Sequence, residues 1–416
     1  MIRILHTADW HLGHTLRGYT REIEHESVLE QIVTIIVESH IDVLIVAGDI
    51  HDTQNPSGEV LQGFYRSISR IRRAQPRITI IITAGNHDAP SRLEAPGALL
   101  SALNMHVIGS VRRKDGKALA ERHLVPVHDS KGNHALNVLA VSHPTAGCLA
   151  NLTRLQDEGG SLVARKVGEL YEELYEQLRA RLDDLPLIVT GHLHVMGGEI
   201  SKSSERRILC GGEHAVPPTV FPESACYVAL GHLHKAQSVG KKTIRYSGSL
   251  FPMSASETDY RHSVTVVTVD DSGEVTVEPV PLERPVPFLR VPEKGVLNLS
   301  EVPVYLSSLL LQADLPIDRR PFVQAVLFRE TLPVSFREEL DMLMHSFPIR
   351  MLDPAVISPA DVQSVGTESV EEFRNLSEQK PDDLFSLAFE QHHHREPTKQ
   401  HLDNFHWLET RIGIEL

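Results

Sequence analysis

Val43-Leu44-Ile45-Val46-Ala47 runs straight into Gly48-Asp49-Ile50-His51-Asp52, an apolar run of strand length ending in a turn that carries carboxylates and an imidazole. A continuous apolar run bounded by such a polar cluster predicts a strand buried on both faces, as in a layered α/β core. The same construction stands on either side of it. Ile2 to Ala8 leads into Asp9-Trp10-His11, and Ile78 to Thr83 leads into Gly85-Asn86-His87-Asp88. Between the first two runs, Leu29, Ile32, Val33 and Ile36 recur at i, i+3, i+4 and i+7, one apolar face of a helix. A second helix, Glu59 to Arg73, precedes the third strand. Repeated strand–helix–strand units place the chain in the α/β class.

Farther on, a charged helical stretch from Ser161 to Leu182 follows a Gly-Gly break. The strand Leu185 to Thr190 then ends in Gly191-His192-Leu193-His194, and Tyr227 to Leu230 ends in Gly231-His232-Leu233-His234. Strands near Thr243 to Tyr246, Val264 to Val269 and Val275 to Val280 predict a sheet that closes a first domain over residues 1–280. Pro279 to Pro287 reads as a proline-rich linker. A smaller α+β unit is expected over 288–357, with strands at Phe322 to Phe328 and Ile349 to Leu352 around a helix at Ser335 to His345. A polar, acidic tether from Ser358 to Lys380 leads to residues 381–416, where two short amphipathic helices flank Pro397. That segment is too small to bury its own core and is built to dock on another surface.

The 416 residues are 41% hydrophobic, 23% charged and 5% aromatic, which suits about two or three units with buried cores. Cys148, Cys210 and Cys226 are far apart and form no CxxC pair, so neither a disulfide framework nor a thiolate zinc site can be built from them. The opening Met1-Ile2-Arg3-Ile4-Leu5-His6 turns polar too soon for a secretion signal, and no run of about 18 apolar residues offers a membrane span. These features predict a soluble, reduced, cytoplasmic protein. Basic residues number 41 against 55 acidic ones, a net charge of -14. Such a surface repels nucleic acid on average, so DNA would have to be held through bound cations, a local basic patch or a partner. Arg66, Arg70, Arg72, Arg73 and Arg77, like Arg112-Arg113-Lys114, read equally as phosphate contacts or as solvated faces. No GxxxxGK[ST] loop occurs, so any nucleoside-triphosphate dependence belongs to another chain.

Asp9 and His11 are two residues apart at a strand end, where extended geometry points both the same way. Asp49 and Asn86 also lie just past strand ends, and loops leaving one edge of such a sheet converge on a shared crevice. With His192, His232 and His234 they make seven oxygen or nitrogen donors and no thiolate, a set suited to Mn²⁺, Fe²⁺ or Zn²⁺. Seven donors exceed one tetrahedral site and suit two ions ~3.5–4 Å apart that share a carboxylate and promote in-line phosphoryl displacement. Asp49 is assigned as the bridge, with Asp9, His11 and His234 on one ion and Asn86, His192 and His232 on the other. His87 stands beside them as general acid, and Asp52 is placed to hold its ring and support the imidazolium form. Each motif alone is as well explained by a cap or turn; their joint occurrence after predicted strands carries the metal reading. His194 repeats the His-x-His spacing, but with both ligand sets filled it reads as a supporting or substrate-facing group. His51 and His143 read as packing or rim residues, and His392-His393-His394 as a solvated helix face.

In this order, Asp9-x-His11, Gly48-Asp49-x-x-Asp52, Gly85-Asn86-His87-Asp88, Gly191-His192 and Gly231-His232-x-His234 resemble the calcineurin-like metallophosphoesterases. Ala8-Asp9-Trp10-His11-Leu12-Gly13, the run Ala229 to Gln237 and Tyr246-Ser247-Gly248-Ser249 narrow the likeness to the DNA-repair nucleases of that family. The likeness is strong over residues 1–255 and rests on layout beyond them. It implies a four-layer core of two packed sheets flanked by helices, a capping domain that shapes DNA access, and C-terminal helices that bind the coiled-coil base of an ATPase. It implies Mn²⁺-supported 3′-to-5′ exonuclease action on duplex ends with single-strand endonuclease action, and a homodimer within a heterotetramer. His194 departs from the pattern, standing where a small polar residue is expected. A phosphoesterase of small phosphodiesters or nucleotides is the alternative, and a non-enzymatic scaffold a third. The unit after Pro287 and the apolar tail favour the nuclease, and His87 beside a full ligand set argues against the scaffold.

Overall fold

The computed structural model describes residues 1–149, 159–201, 215–358, 397–398 and 401–402. Two six-stranded sheets lie face to face. One runs in the order Val275–Pro281, Ser263–Val269, Ile2–Thr7, Val43–Ala47, Thr79–Thr83, Met105–Ile108. The other runs Gln237–Val239, Lys241–Tyr246, Ala225–Gly231, Leu187–His192, His134–Leu139, Leu124–His128. From Ile2–Thr7 to Met105–Ile108 the strands are parallel, so each return needs a crossover, and helices Glu22–Glu38 and Gly58–Ala74 provide the first two.

Side chains sort by face. Ile4, Val43, Ile45 and Ile81 of the first sheet meet Val138, Ile188, Tyr227 and Ala229 of the second in a core between the sheets. On the outer face of the first sheet, Leu44, Val46, Ile80 and Ile82 pack against Val28, Ile32, Ile36 and Ile68 of the two helices. On the outer face of the second, Val189, Val228 and Leu230 pack against Leu170, Tyr171 and Leu174 of helix Gly159–Leu178. Helix, sheet, sheet and helix make the four layers expected. Every residue of Val43–Ala47 is buried, which is why that run is unbroken rather than alternating. Helix Gly58–Ala74 opens on Ser57, whose Oγ accepts from the Val60 N–H at 3.3 Å, and closes on Arg72 and Arg73, which favour the negative end of the helix dipole.

Two expectations change. The single closing sheet is really two contributions: Lys241–Tyr246 joins the second sheet parallel to Ala225–Gly231, whereas Ser263–Val269 and Val275–Pro281 extend the first, antiparallel. Apolar patterning reports that a strand has a buried face but not which sheet covers it. Pro279 and Pro281, read as linker, lie in the edge strand opposite Thr265 and Ser263, where one side needs no N–H donor.

Beyond Pro287, the strand Phe322–Phe328 pairs in parallel with Phe288–Val291, Arg350–Met351 and Ala355–Ile357. Helices Val302–Ser308 and Phe336–His345 close Val302, Leu306, Val323, Leu327, Leu340 and Met344 into a core of their own. Phe288, Phe322 and Leu352 pack instead against Leu16, Tyr19 and Ala255. Met1–Ile357 forms one compact unit, and Ser358–Leu416 a second. The helices expected in 381–416, with His392-His393-His394, fall outside the described residues apart from 397–398 and 401–402. No helix among the described residues is long and apolar enough to cross a membrane.

Candidate metal centre

Three strands of the first sheet (Ile2–Thr7, Val43–Ala47, Thr79–Thr83) and two of the second (Leu187–His192, Ala225–Gly231) deliver their polar residues to one edge of the sandwich. The first two loops are zipped together by main-chain bonds: Asp9 N–H to the Gly48 carbonyl at 3.1 Å, His11 to Asp49 at 3.0 Å and Leu12 to Ile50 at 2.9 Å. The Asp88 carboxylate ties in the third, accepting from the N–H groups of Gly85 (2.9 Å), Ile50 (3.1 Å) and His51 (3.0 Å). Asp9 and His11 do converge, but not through the strand alternation expected of them. Both have left-handed backbone (φ 53° and 46°), as do Asp49 (50°) and His232 (101°). Such conformations cost ~1–3 kcal/mol each and gather where function requires them.

Two glycines make the crowding possible. A Cβ on Gly48, itself at φ +89°, would lie 2.1 Å from Nδ1 of His192. A Cβ on Gly85 would lie 2.1 Å from Oδ1 of Asp49. That oxygen of Asp49 accepts the His87 N–H at 2.8 Å, which leaves Oδ2 to face His192 Nε2 at 3.3 Å and His11 Nε2 at 3.7 Å. Asp49 therefore stands between the two expected ligand sets. Asp9, His11 and His234 cluster with donor atoms mutually within 4.8 Å, and so do Asp9, Asp49 and His192. On the other side, Asn86 Oδ1 lies 3.0 Å from His192 Nε2 and 3.1 Å from His232 Nδ1.

The tautomers show what such an arrangement can hold. Nδ1 of His192 is 2.8 Å from the Ala47 carbonyl and carries the proton, so the neutral ring has only a lone pair at Nε2. That lone pair faces the oxygens of Asn86 and Asp49. His234 repeats the pattern, with Nδ1 2.8 Å from Glu257 Oε1 and Nε2 3.2 Å from His11 Nε2. Lone pairs aimed at one another repel unless positive charge sits among them. The donors are oxygen and imidazole nitrogen without sulfur, so they fit hard-to-borderline divalent cations.

Without an ion, a proton on His192 supplies that positive charge. Burial would lower His192, yet the Asp49 and Asp9 carboxylates beside it hold its pKa raised, at about 9. Burial lifts Asp9 to about 6 against the pull of His192 and His234. For Asp49 burial loses: His192, His11 and His87 hold its carboxyl well below the usual range.

His87 is brought to the same place, its ring edge-on to His11 at 4.7 Å between centroids. Asp52 meets it differently from the expectation. The Asp52 main-chain carbonyl accepts from His87 Nδ1 at 2.7 Å, while the Asp52 carboxylate lies 3.4 Å from His11 Nδ1. The backbone is already committed to the loop, so it orients the ring and frees the carboxylate for His11. A cavity of about 540 Å³ opens in front of these groups, lined by His11, Asp52 and His87 on one wall and Gln324, Leu352 and Asp353 on the other.

Other histidines are accounted for nearby. His51 is buried against Asp88 (3.2 Å) and Phe64, and His143 donates from Nδ1 to the His192 carbonyl at 2.9 Å. His194 is half-buried and belongs to none of the metal-holding groups found among the described residues. Several of the arginines offered for phosphate are engaged within the chain: Arg70 pairs with Glu26 and Glu30, Arg72 with main-chain carbonyls, Arg112 with Glu94 and Arg113 with Glu173. Glu257 escaped the sequence reading. No motif surrounds it, and only the partner histidine, 23 residues earlier, gives it meaning.

The calcineurin-like phosphoesterase family model matches residues 2–236. The SbcD chain of the nuclease SbcCD from Rhodobacter capsulatus is 39% identical over 389 residues, covering 93% of this chain and 94% of that one. The protein of the same name from Bacillus subtilis is 35% identical over 72% of this chain and 74% of its own length. The Escherichia coli K12 protein is 30% identical over 70% and 71%. With this likeness running well past the phosphoesterase core, the chain belongs to the calcineurin-like phosphoesterases, as a metal-dependent phosphodiesterase of the SbcD nuclease group.

Proposed function

We propose that the chain is a two-ion DNA nuclease subunit in which Asp49 is shared between one ion held by Asp9, His11 and His234 and another held by Asn86, His192 and His232. The observation that carries this reading is the facing of lone pairs: His192 Nε2 against Asn86 and Asp49 oxygens at 3.0 and 3.3 Å, with His234 Nε2 against His11 at 3.2 Å. When bound, the ions lower the pKa of the attacking water and neutralise phosphate charge, which this acidic chain could not otherwise do. The donor set suits Mn²⁺.

The remaining chemistry belongs to the side chains. His87 gives its Nδ1 proton to the Asp52 carbonyl as a fixed hydrogen bond, so the proton it transfers to a leaving 3′ or 5′ oxygen sits on Nε2. Gln324, Leu352 and Asp353 line the cavity opposite, and the Arg17–Asp353 ion pair at 3.1 Å ties that wall to the short antiparallel hairpin that follows His11, Thr15–Leu16 paired with Tyr19–Thr20. The separate core around Val302, Val323, Leu327 and Leu340 supports a capping domain (288–357), set beside a nuclease domain (1–280), that limits which DNA reaches the crevice, and we read residues 381–416 as the partner-binding segment. We read the substrate as duplex ends cleaved 3′-to-5′ and single strands cut internally. The chain works in DNA repair and recombination as a cytoplasmic homodimer, joined through residues 381–416 to an SbcC-type ATPase.

The test is incubation of the purified chain with linear duplex DNA and Mn²⁺, with and without the ATPase and ATP. Duplex shortening supports the reading. Cleavage of model esters without DNA degradation under any condition replaces it with a phosphoesterase of small phosphodiesters. Deleting residues 381–416 is expected to abolish association with the ATPase while sparing ester cleavage; unchanged association removes the docking role.

A further inference from the structure

Glu257 is a carboxylate outside both ligand sets, at 0% exposure. Its Oε1 lies 2.8 Å from Nδ1 of His234, and its Oε2 accepts the Met253 N–H at 2.8 Å. Both oxygens are thus committed, and the short turn Ala255–Glu257 that carries them is fastened from three other directions. The Pro252 carbonyl accepts from Arg21 at 2.8 Å, Ser256 Oγ lies 3.0 Å from Ser201 Oγ, and Ala255 packs beneath Phe288 and Phe322. The carboxylate cannot swing away from the ring it faces.

A buried carboxylate opposite one imidazole nitrogen keeps the proton on that nitrogen. The neutral ring then has its lone pair at Nε2, the atom that lies 3.2 Å from His11 Nε2 and within the Asp9, His11 and His234 group. We propose that Glu257 is a positioning residue for the metal centre: by holding His234 as the Nδ1–H tautomer it makes Nε2 the ligand atom and raises its donor strength. This rests on the two-ion reading above. The other half of the centre is oriented by different means, because Nδ1 of His192 meets only the Ala47 carbonyl, a dipole rather than a charge. The two ions are therefore supported unequally, and loss of Glu257 falls on one of them. In Glu257→Gln the amide oxygen can accept from Met253 or from His234 but not both, and an NH₂ turned toward Nδ1 favours the Nε2–H tautomer, which cannot ligate through Nε2.

The experiment is Mn²⁺ titration calorimetry on the full chain as wild type, Glu257→Gln, His234→Ala and the double variant. Glu257→Gln should weaken one of two sites about 10–100-fold, the usual cost of losing such a partner, and leave the other within about twofold. On the His234→Ala background it should change nothing further, because it acts through that ring. Wild-type affinity at both sites in Glu257→Gln overturns the proposal, and so does a loss that adds in full to that of His234→Ala. A wild type that binds no ion pair fails at the earlier reading instead. Nitrogen-15 NMR of His234 in the metal-free wild type gives a test that needs no variant to fold: the Nδ1–H tautomer is expected, and the Nε2–H tautomer overturns the proposal.

Discussion

Beneath the Phe322–Phe328 strand, Arg21 clasps Glu24 through Nε and Nη2, each 2.7 Å from a different carboxylate oxygen, and Arg350 stands 3.6 Å from the same acid. All three side chains are buried, and the two guanidiniums lie over Phe322 at 5.0 and 3.7 Å. Arg21 Nη1 donates to the Pro252 carbonyl and Arg350 Nε and Nη1 to the Arg320 and Thr20 carbonyls, which leaves Arg350 Nη2 with the Glu24 charge as its partner. At the strand ends, buried polar groups are arranged in the opposite sense: Asp9, Asp49, Asn86 and the imidazole nitrogens crowd together so that neutral rings would face them acceptor against acceptor, and a proton or a metal ion has to stand among them. Both regions bury charge at a desolvation cost. The first answers that cost from within the chain and holds a structure together. The second leaves it for something from outside the chain to answer, and that difference separates a structural cluster from a site.

The largest effect expected from this contrast is at Asp49. In Asp49→Asn the group standing between the two ligand sets loses its charge, so binding of both ions should fall together and nuclease activity should drop to background, read by calorimetry and a duplex-shortening assay. Retention of two ions would show that Asp49 is not shared. His87→Ala comes next. Its ring touches the crevice but is no part of either ligand set, so turnover should fall about 10²–10⁴-fold with metal content preserved; loss of metal along with turnover removes the acid role. Glu24→Ala tests the other region. It strands two buried guanidiniums and should cost roughly 3–5 kcal/mol of stability, read as a lower urea midpoint, with two ions still bound. A Glu24→Ala chain of unchanged stability but altered metal content would erase the distinction between the regions.

How far these regions were legible follows from how local they are. Val43–Ala47 and Thr79–Thr83 are unbroken apolar runs whose length and flanks betray them, and the ligands sit at their ends, within a few residues of the signal. Met105–Ile108 and His134–Leu139 went unread because they are short or carry His106, His134 and Asn137 among their apolar residues. The left-handed turns at Asp9, His11, Asp49 and His232 fall on residue types that tolerate that conformation, but Asp and His are too common elsewhere for their presence to mark it. Glu24 and Arg350 are brought together only by the packing of Phe288–Val291 and Phe322–Phe328 on the separate two-stranded hairpin of Thr15–Leu16 and Tyr19–Thr20, as Glu257 is brought to His234 by a turn that no motif marks. Residues that answer one another across the fold leave no periodicity in the chain.

The smallest effect isolates a buried histidine that needs nothing from outside. His6 lies three residues before Asp9 and is fully buried like His192, yet its hydrogen-bond partners are neutral: Nδ1 accepts from the Tyr227 hydroxyl at 2.9 Å, and Nε2 donates to the Leu230 carbonyl at 3.1 Å. Burial lowers its pKa to about 3, where His192 is raised. In the unfolded chain a histidine titrates near 6.5. Between those values the unfolded state binds a proton that the folded state refuses, so the contribution of His6 is complete above about pH 6.5 and is lost as pH falls toward 3. The limiting slope for one such group is about 1.4 kcal/mol per pH unit. Urea unfolding of the chelator-treated chain from pH 7.5 down to 4.5 should therefore show wild type losing stability more steeply than His6→Gln by about that slope. Other acid-sensitive groups, the ligand imidazoles included, are common to both chains and cancel in the difference. Parallel curves would mean that His6 is already protonated in the folded state, and that a self-satisfied histidine and one facing bare acceptors cannot be told apart by their hydrogen-bond partners alone.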